Sequence, residues 1–235
     1  MNIQLRLLGA TAIYYQCPSS ELLSGLMKRR LTDLDFITVS KYASKIPDLF
    51  SSLGFEPNER VNSLYGRHRQ IYTSSKSSLH VDIFFDKLSF NHVIDLGKRL
   101  AIDPFTISLA DLFLEKMQIV KISEKDAKDT VVLVHEHDFG SQSDKGTIDA
   151  DYILKLLSED WGFYYTVTTN LKKVMEFAAS NPSLTENDKQ LVSGRLSSLL
   201  EKLQASHKSF KWTMRARIGT KAPWYDEAED VENRE

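Results

Sequence analysis

The hydrophobic positions in the first half of the chain fall in short runs. Residues 33–39, 70–73 and 79–85 are rich in apolar, β-branched and aromatic side chains, which is typical of β-strands. The serine-rich stretch 74–78 separates the last two runs and predicts a turn between them. Because each run is only long enough for one strand, we expect a sheet in the N-terminal half.

The second half carries its hydrophobic residues at a different spacing. Apolar side chains recur every three or four positions over the ranges 109–120, 126–135, 152–157, 161–179 and 191–203. This period matches the turn of an α-helix and predicts amphipathic helices that bury one face. The C-terminal half is therefore expected to be helical.

The change of pattern divides the chain near Pro104. We predict an α+β fold in two domains, with an α/β domain over residues 1–104 and a helical domain over residues 105–235. Residues 226–235 are acidic, and we expect this end of the chain to be frayed.

Composition narrows the class of protein. The chain has 235 residues, 42% of them hydrophobic, and a formal net charge of -2, so it can bury a sizeable core but has no global basic field for nucleic acid. Cys17 is the only cysteine, which excludes an intramolecular disulfide and fits a reducing compartment. Neither a signal peptide nor a membrane span is recognisable. We therefore expect a cytoplasmic protein with no membrane partner.

Two acids stand at the start of the strand predicted over residues 33–39. Asp33 and Asp35 are two positions apart, so both side chains point to the same face of the strand. Carboxylates this close repel each other unless a cation lies between them or one of them is protonated. Oxygen ligands of this kind suit Mg²⁺, with Mn²⁺ as the alternative.

A third acid interrupts the apolar run of residues 79–85. Asp82 is costly to bury unless it is paired or binds a metal. If its strand lies beside that of Asp33 and Asp35, the three carboxylates form one site. The alternative is a structural salt bridge from Asp82 to a nearby arginine. The candidates for that salt bridge are Arg30, Arg67 and Arg69.

A glycine follows the first apolar run of the chain. Gly9-Ala10 comes after residues 3–8 and before a short helical stretch. A strand, a glycine and a helix N-terminus present backbone N–H groups that can bind an anion. The alternative is an ordinary tight turn.

Together these motifs resemble the nucleotidyltransferase fold of the DNA polymerase β superfamily. The resembling segments are the Gly9 turn, Arg30-Leu31-Thr32-Asp33-Leu34-Asp35-Phe36, the Val81-Asp82-Ile83-Phe84 strand, residues 110–119 and residues 125–129. They are most similar to the branch that contains AbiEii-type toxins of bacterial abortive infection. The resemblance covers residues 3–135 and implies a mixed sheet with flanking helices, followed by a C-terminal helical bundle.

The resemblance also implies roles for individual residues. Asp33, Asp35 and Asp82 would bind the metals, and Asp82 would act as general base for the incoming hydroxyl. Lys116 would neutralise a phosphate and Asp126 would complete the catalytic site. The nucleotide-binding residues would be Gly9, Ala10, Arg30 and Thr32.

Several alternatives remain beside these roles. Gly9-Ala10 departs from the Gly-Ser or Gly-Gly usual in the family, so a phosphate-binding hydroxyl is missing. Lys116 could instead be an exposed residue on the polar face of its helix. Asp126 and Asp129 could be acids near a helix N-terminus, favoured by the helix dipole, and for Asp129 we prefer that interpretation.

Basic residues give one further indication of a partner. Arg67-His68-Arg69 lies next to the proposed site in sequence, and a later basic cluster is interleaved with Phe210 and Trp212. Basic and aromatic side chains together suit a nucleic-acid strand, although solvated surface charge is the more common explanation.

The resulting prediction is a metal-dependent nucleotidyltransferase that moves a nucleoside monophosphate from an NTP to a hydroxyl. The acceptor would be an RNA or tRNA end, a protein side chain or a small molecule. Such a protein could be the toxin of a toxin–antitoxin system, with an antitoxin protein as its partner. Two alternatives are a non-catalytic nucleotide- or protein-binding module on the same fold and a two-metal phosphohydrolase.

Overall fold

The computed structural model describes residues 3–18, 33–141, 144 and 146–227. It is an α+β fold with a mixed sheet and several helices. The strands, in chain order, are β1 (Arg6–Leu8), β2 (Asp33–Thr38), β3 (Phe55–Pro57), β4 (Arg69–Ser74), β5 (His80–Phe85), β6 (Lys87–Ser89), β7 (Val93–Asp95), β8 (Phe139–Gly140) and β9 (Ile148–Asp149). The helices are α1 (Gly9–Gln16), α2 (Ile46–Ser52), α3 (Glu59–Tyr65), α4 (Leu109–Met117), α5 (Glu124–Glu136), α6 (Ala150–Glu159), α7 (Trp161–Ser180), α8 (Glu186–Ala205) and α9 (Phe210–Ile218). Two 3₁₀ segments cover Ser40–Lys45 and Gly219–Lys221.

The main sheet has five strands in the order β1-β2-β5-β4-β3. β2 and β5 are parallel, and the other three pairings are antiparallel. The parallel pair lies in the middle of this order, where both of its neighbours are antiparallel. Because the chain must cross over to make a parallel pair, residues between β2 and β5 supply α2, α3, the edge strand β3 and its neighbour β4.

One face of the sheet packs against α2. Alternate residues of β5, Val81, Ile83 and Phe85, join Ile46 and Phe50 in a compact apolar cluster. Phe50 stacks on Tyr72 of β4 with ring centroids 4.9 Å apart. This face is dry and apolar, so it contributes packing and not chemistry.

The opposite face packs against the helices of the C-terminal half. Ile37 of β2 and Phe84 of β5 belong to the same apolar cluster as Phe113 of α4, Val131 of α5 and Leu171 of α7. A single core therefore joins residues from both predicted domains. Asp33, Asp35 and Asp82 alternate with the residues of the other face, so they too lie on this helix-covered side.

Polar caps begin most of the long helices. Ser108, Ser123, Asp149, Asp160 and Thr185 each accept a hydrogen bond from a backbone N–H in the first turn of the helix that follows. Ser123 and Thr185 form reciprocal capping boxes with the acid three positions on. These side chains satisfy N–H groups that have no partner within the helix.

The predicted strands and helices of the chain are confirmed, with shifts of a few residues at their ends. Several short elements were not predicted, among them β3, β6, β8, β9, α3 and α9. β3 and α3 each cover seven residues or fewer, too short for hydrophobic periodicity to be read. α9 buries none of its residues fully, so its pattern is weak.

Asn170 fixes the end of the helix that carries Lys116. It is fully buried in α7, and its side-chain amide donates to the carbonyls of Met117 (3.0 Å) and Ile119 (2.8 Å). Both carbonyls lie at the C-terminal end of α4, where the helix leaves acceptors unsatisfied. Among the described residues, every helix is too short or too polar to span a lipid bilayer.

We expect Asn170→Leu to lower the free energy of unfolding by about 2 kcal/mol, because the buried Met117 carbonyl and the partly buried Ile119 carbonyl lose their donor at nearly unchanged side-chain volume. Chemical denaturation measures the change. Lys172→Ala, at an exposed position of the same helix, is the control and should stay within about 0.5 kcal/mol of the parent. Equal stabilities for the two variants would contradict this role of Asn170.

Candidate active site

Three carboxylates share one face of the sheet. Asp33 and Asp35 lie two positions apart on β2, and Asp35 is the direct register partner of Asp82 on the parallel strand β5. Residues paired in register on adjacent strands point to the same side, with backbones about 4.8 Å apart. The prediction that the strand of Asp82 lies beside that of Asp33 and Asp35 is therefore confirmed.

Asp82 also forms the salt bridge that was the alternative for it. Both of its carboxylate oxygens accept from Arg69 on β4, from Nε at 3.0 Å and from Nη2 at 2.8 Å. A bidentate arginine–carboxylate pair is among the stronger polar contacts in proteins. The two interpretations of Asp82 thus hold together, since it lies beside Asp35 and is paired with Arg69.

Gly9 brings the backbone against the carboxylates. Its φ is +70°, and a Cβ at this position would lie 2.5 Å from Oδ2 of Asp35. The Gly9 N–H donates to Oε2 of Glu115 at 3.0 Å. Ala10 follows in the first turn of α1. The turn therefore requires glycine, and the Gly9 N–H is bonded to a buried glutamate of α4.

Lys116 is the centre of a buried ionic cluster. Its Nζ lies 3.4 Å from Oε1 of Glu115, 3.2 Å from Oδ2 of Asp129 and 3.7 Å from Oδ1 of Asp126. Lys116 is only 8% exposed and Glu115 6% exposed. The interpretation of Lys116 as a solvated residue on a polar helix face is therefore wrong.

Asp126 and Asp129 have different roles on α5. Asp126 is the third residue of the helix, where its carboxylate accepts from the Ser123 hydroxyl at 2.7 Å and closes the capping box. Asp129 lies beyond the first turn and is 1% exposed. Its preferred interpretation as a dipole-favoured acid at the helix start is wrong, because burial beside Lys116 accounts for its position.

The charges of the site perturb one another. Burial, followed by the nearby Glu115 and Asp82, raises the pKa of Asp35 to about 7. Burial also raises the pKa of Glu115, against the opposing effects of Lys116 and the Gly9 N–H. For Lys116 burial alone would lower the pKa, but the surrounding carboxylates together raise it above its ordinary value. The lysine is therefore charged, and Asp35 is close to half-protonated at neutral pH.

The three carboxylates are the type of ligand that a divalent cation prefers, but their present arrangement does not form a metal site. Among the described residues, no group of three or more histidine, cysteine, aspartate or glutamate side chains is placed to hold a metal ion. Asp33, Asp35 and Asp82 nevertheless offer oxygen ligands on one face, and a cation would favour the charged form of Asp35, whose pKa is raised by burial and then by nearby acids. Both carboxylate oxygens of Asp82 are bonded to Arg69. We therefore expect this salt bridge to open before a cation binds all three carboxylates.

Two of the predicted site residues are not among the described residues, and one residue of the site was not predicted. Arg30 and Thr32, assigned to nucleotide binding by the resemblance, are not among the described residues. Glu115 was not predicted as a site residue. Its signal in the sequence was an acid next to a lysine inside the apolar run of α4, where a buried charge needs a partner of opposite sign.

Comparison with protein-family models, curated proteins and solved structures finds no match to this chain. Its function is therefore inferred from the chemistry of its own residues.

We expect Gly9→Ala to lower the free energy of unfolding by about 2 kcal/mol, because alanine is strained at this φ and its methyl group would meet the Asp35 carboxylate. The matched control is Gly194→Ala, in the middle of α8, where a Cβ meets nothing within 4 Å. That substitution should raise stability by about 0.5–1 kcal/mol. Denaturation of both variants should give changes of opposite sign, and two changes of the same sign would contradict the contact at Gly9.

Asp35 should make stability fall as the pH rises. Its pKa is about 7 in the folded protein against about 3.9 in an unfolded chain, so the folded state binds more protons between these values and loses stability with increasing pH. We expect Asp35→Asn to raise the free energy of unfolding by about 2 kcal/mol at pH 8 and to change it little at pH 4, where the parent aspartate is protonated.

Denaturation at the two pH values measures this difference, with Asp33→Asn at the exposed end of β2 as the control. An Asp35→Asn variant that is equally destabilised at pH 4 and pH 8 would contradict a raised pKa of Asp35 in the folded protein.

Proposed function

We propose that the chain is a metal-dependent nucleotidyltransferase with a nucleotidyltransferase-like fold, which moves a nucleoside monophosphate from an NTP to a hydroxyl and releases pyrophosphate. The observation that supports it most is the shared face of Asp33, Asp35 and Asp82, with Asp35 and Asp82 in register and Gly9 against Asp35. Three carboxylates beside a glycine turn at a helix start suit a nucleotide whose phosphates are bound through cations.

In this proposal Asp33, Asp35 and Asp82 hold Mg²⁺ or Mn²⁺, which when bound neutralises phosphate charge and makes an attacking hydroxyl more acidic. Asp35 supports this role because burial, followed by the nearby Glu115 and Asp82, raises its pKa, and a bound cation would favour its charged form. In this proposal Asp82 accepts the proton of the acceptor hydroxyl once Arg69 has left it.

The residues around the carboxylates position the nucleotide. Gly9 lacks a side chain at the point where the backbone meets Asp35, which lets the turn lie directly against this carboxylate. Lys116 is bound to three carboxylates, so in this proposal its charge acts mainly by lowering the pKa of Asp35. Asp126 supports Lys116 from the start of α5.

The acceptor hydroxyl belongs to an RNA or tRNA end, a protein side chain or a small molecule. An activity of this kind would deplete or block a cellular component, which fits the toxin of a toxin–antitoxin pair. A separate antitoxin protein would then be its partner.

One observation favours a second candidate function. The salt bridge from Arg69 to both oxygens of Asp82 satisfies the third carboxylate without a metal. A protein that keeps this salt bridge closed would bind nucleotide or a partner protein without turnover. The two candidates therefore differ in whether Asp82 is released when nucleotide binds.

The test is a transfer assay with purified protein, Mg²⁺, each α-³²P-labelled NTP and, in separate reactions, total RNA, protein extract or small metabolites. We expect label transfer and pyrophosphate release that fall at least about 100-fold in Asp35→Asn and Asp82→Asn, because each removes charge that stabilises the transition state. Asp48→Asn, at an exposed position of α2, is the matched control and should retain the parent activity.

The outcomes separate the candidate functions. NTP binding without transfer or pyrophosphate release would support the binding module. Phosphate release without transfer would support the two-metal phosphohydrolase. Full activity of Asp82→Asn would contradict a site built on three carboxylates.

A further inference from the structure

A cavity lies beside the carboxylate-bearing face of the sheet, on the side of β4. The cavity has a volume of about 370 Å³, within the range of small-molecule sites. We call it the Arg69 cavity. Its lining includes His68, Arg69, Phe84, Lys87 and Phe90.

Arg69 separates this cavity from the carboxylates. Its guanidinium group pairs with Asp82 and lies 5.4 Å from the centroid of the Phe84 ring. Phe84 is two positions after Asp82 on β5 and therefore points to the same face. A ligand in the cavity can thus reach Arg69 without passing through the carboxylate site.

The cavity approaches the carboxylates from the side opposite to Gly9. Gly9 follows β1, which is the neighbour of β2, whereas Arg69 is on β4, the neighbour of β5. The two paired strands that carry Asp35 and Asp82 lie between them. A nucleotide bound at Gly9 and a ligand in the Arg69 cavity would therefore occupy different sides of the same site.

The lining combines flat rings with cations. Phe84 and Phe90 meet edge to face with their ring centroids 5.6 Å apart. His68 and Lys87 are exposed at the same cavity. Aromatic rings stack with a planar base, and guanidinium and ammonium groups bind phosphate. This combination suits a ligand with both a base and a phosphate.

Acidic residues also line the cavity. Asp226 and Glu227 reach it from the C-terminal end of the described chain. Asn91 fixes this position, because its carbonyl accepts from the Asp226 N–H at 3.1 Å and its side chain donates to the Asp226 carbonyl at 2.8 Å. Their negative charge opposes that of a phosphate, so it should weaken binding without preventing it.

We propose that the Arg69 cavity binds a nucleotide, either free or at the end of a strand, and that its phosphate replaces Asp82 as the partner of Arg69. Arginine binds phosphate and carboxylate in the same bidentate manner, so the exchange keeps its hydrogen bonds. Asp82 is then released towards Asp35. The release of Asp82 for catalysis rests on the proposed function, whereas nucleotide binding in the cavity does not.

The test is calorimetric titration with adenosine 5′-monophosphate, adenosine, inorganic phosphate and a six-nucleotide single-stranded RNA, each without metal. We expect adenosine 5′-monophosphate to bind more tightly than either fragment, because base and phosphate have separate contacts. Affinity should fall about tenfold in Arg69→Gln and about fivefold in the exposed Lys87→Ala, since each removes a charge-assisted contact. The double variant Asp226→Asn, Glu227→Gln should bind more tightly than the parent.

The controls are Lys172→Ala, on the exposed side of α7, and Asp48→Asn, at an exposed position of α2, and both should bind as the parent does. Tighter binding of the RNA than of the mononucleotide assigns the ligand to a strand end, and equal binding assigns it to a free nucleotide. No saturable binding, or parent affinity in both Arg69→Gln and Lys87→Ala, would overturn the proposal. Binding as expected in a protein that transfers no label would overturn the proposed function and leave the cavity assignment intact.

Discussion

The in-register parallel pairing of β2 with β5 places Asp35 beside Asp82, and the rest of the site depends on how their repulsion is balanced. Arg69 pairs with Asp82 from the neighbouring strand β4. Lys116 supplies positive charge from α4 and is held in place by acids of its own and the next helix. The sheet and the helices are therefore joined by charge as well as by the apolar core. We expect a substitution of Lys116 on α4 to change the pKa of Asp35 on β2.

The parts of this site that depend on short-range patterns could be predicted from the sequence. Strand alternation places Asp33 and Asp35 on one face, and the interruption of an apolar run marks Asp82 as a buried acid. The neighbour of Asp82 could not be chosen among Arg30, Arg67 and Arg69, because the choice depends on which strand lies next to β5. The turn over residues 74–78 indicates β4 as one neighbour of β5, but the strand on the other side and the register of each pair leave no local pattern.

The burial of Glu115 and Asp129 was harder to predict for a related reason. A charged residue on a helix normally faces solvent, and only the packing of α4 against α1 and α5 encloses these two. Their partner, Lys116, is visible in the sequence, but a lysine next to an acid is equally typical of a solvated helix surface. The burial of Glu115 and Asp129 depends on tertiary packing, which helix periodicity does not reveal.

The contact between Lys116 and Asp129 has a consequence for the order in which the chain is made. The three aspartates and Arg69 all precede α4 and α5 in the chain, so the Arg69–Asp82 pair can form before these helices are complete. The ion pair between Lys116 and Asp129 can form only after residue 129 has emerged from the ribosome. The charge contacts within the sheet therefore precede those that surround Lys116.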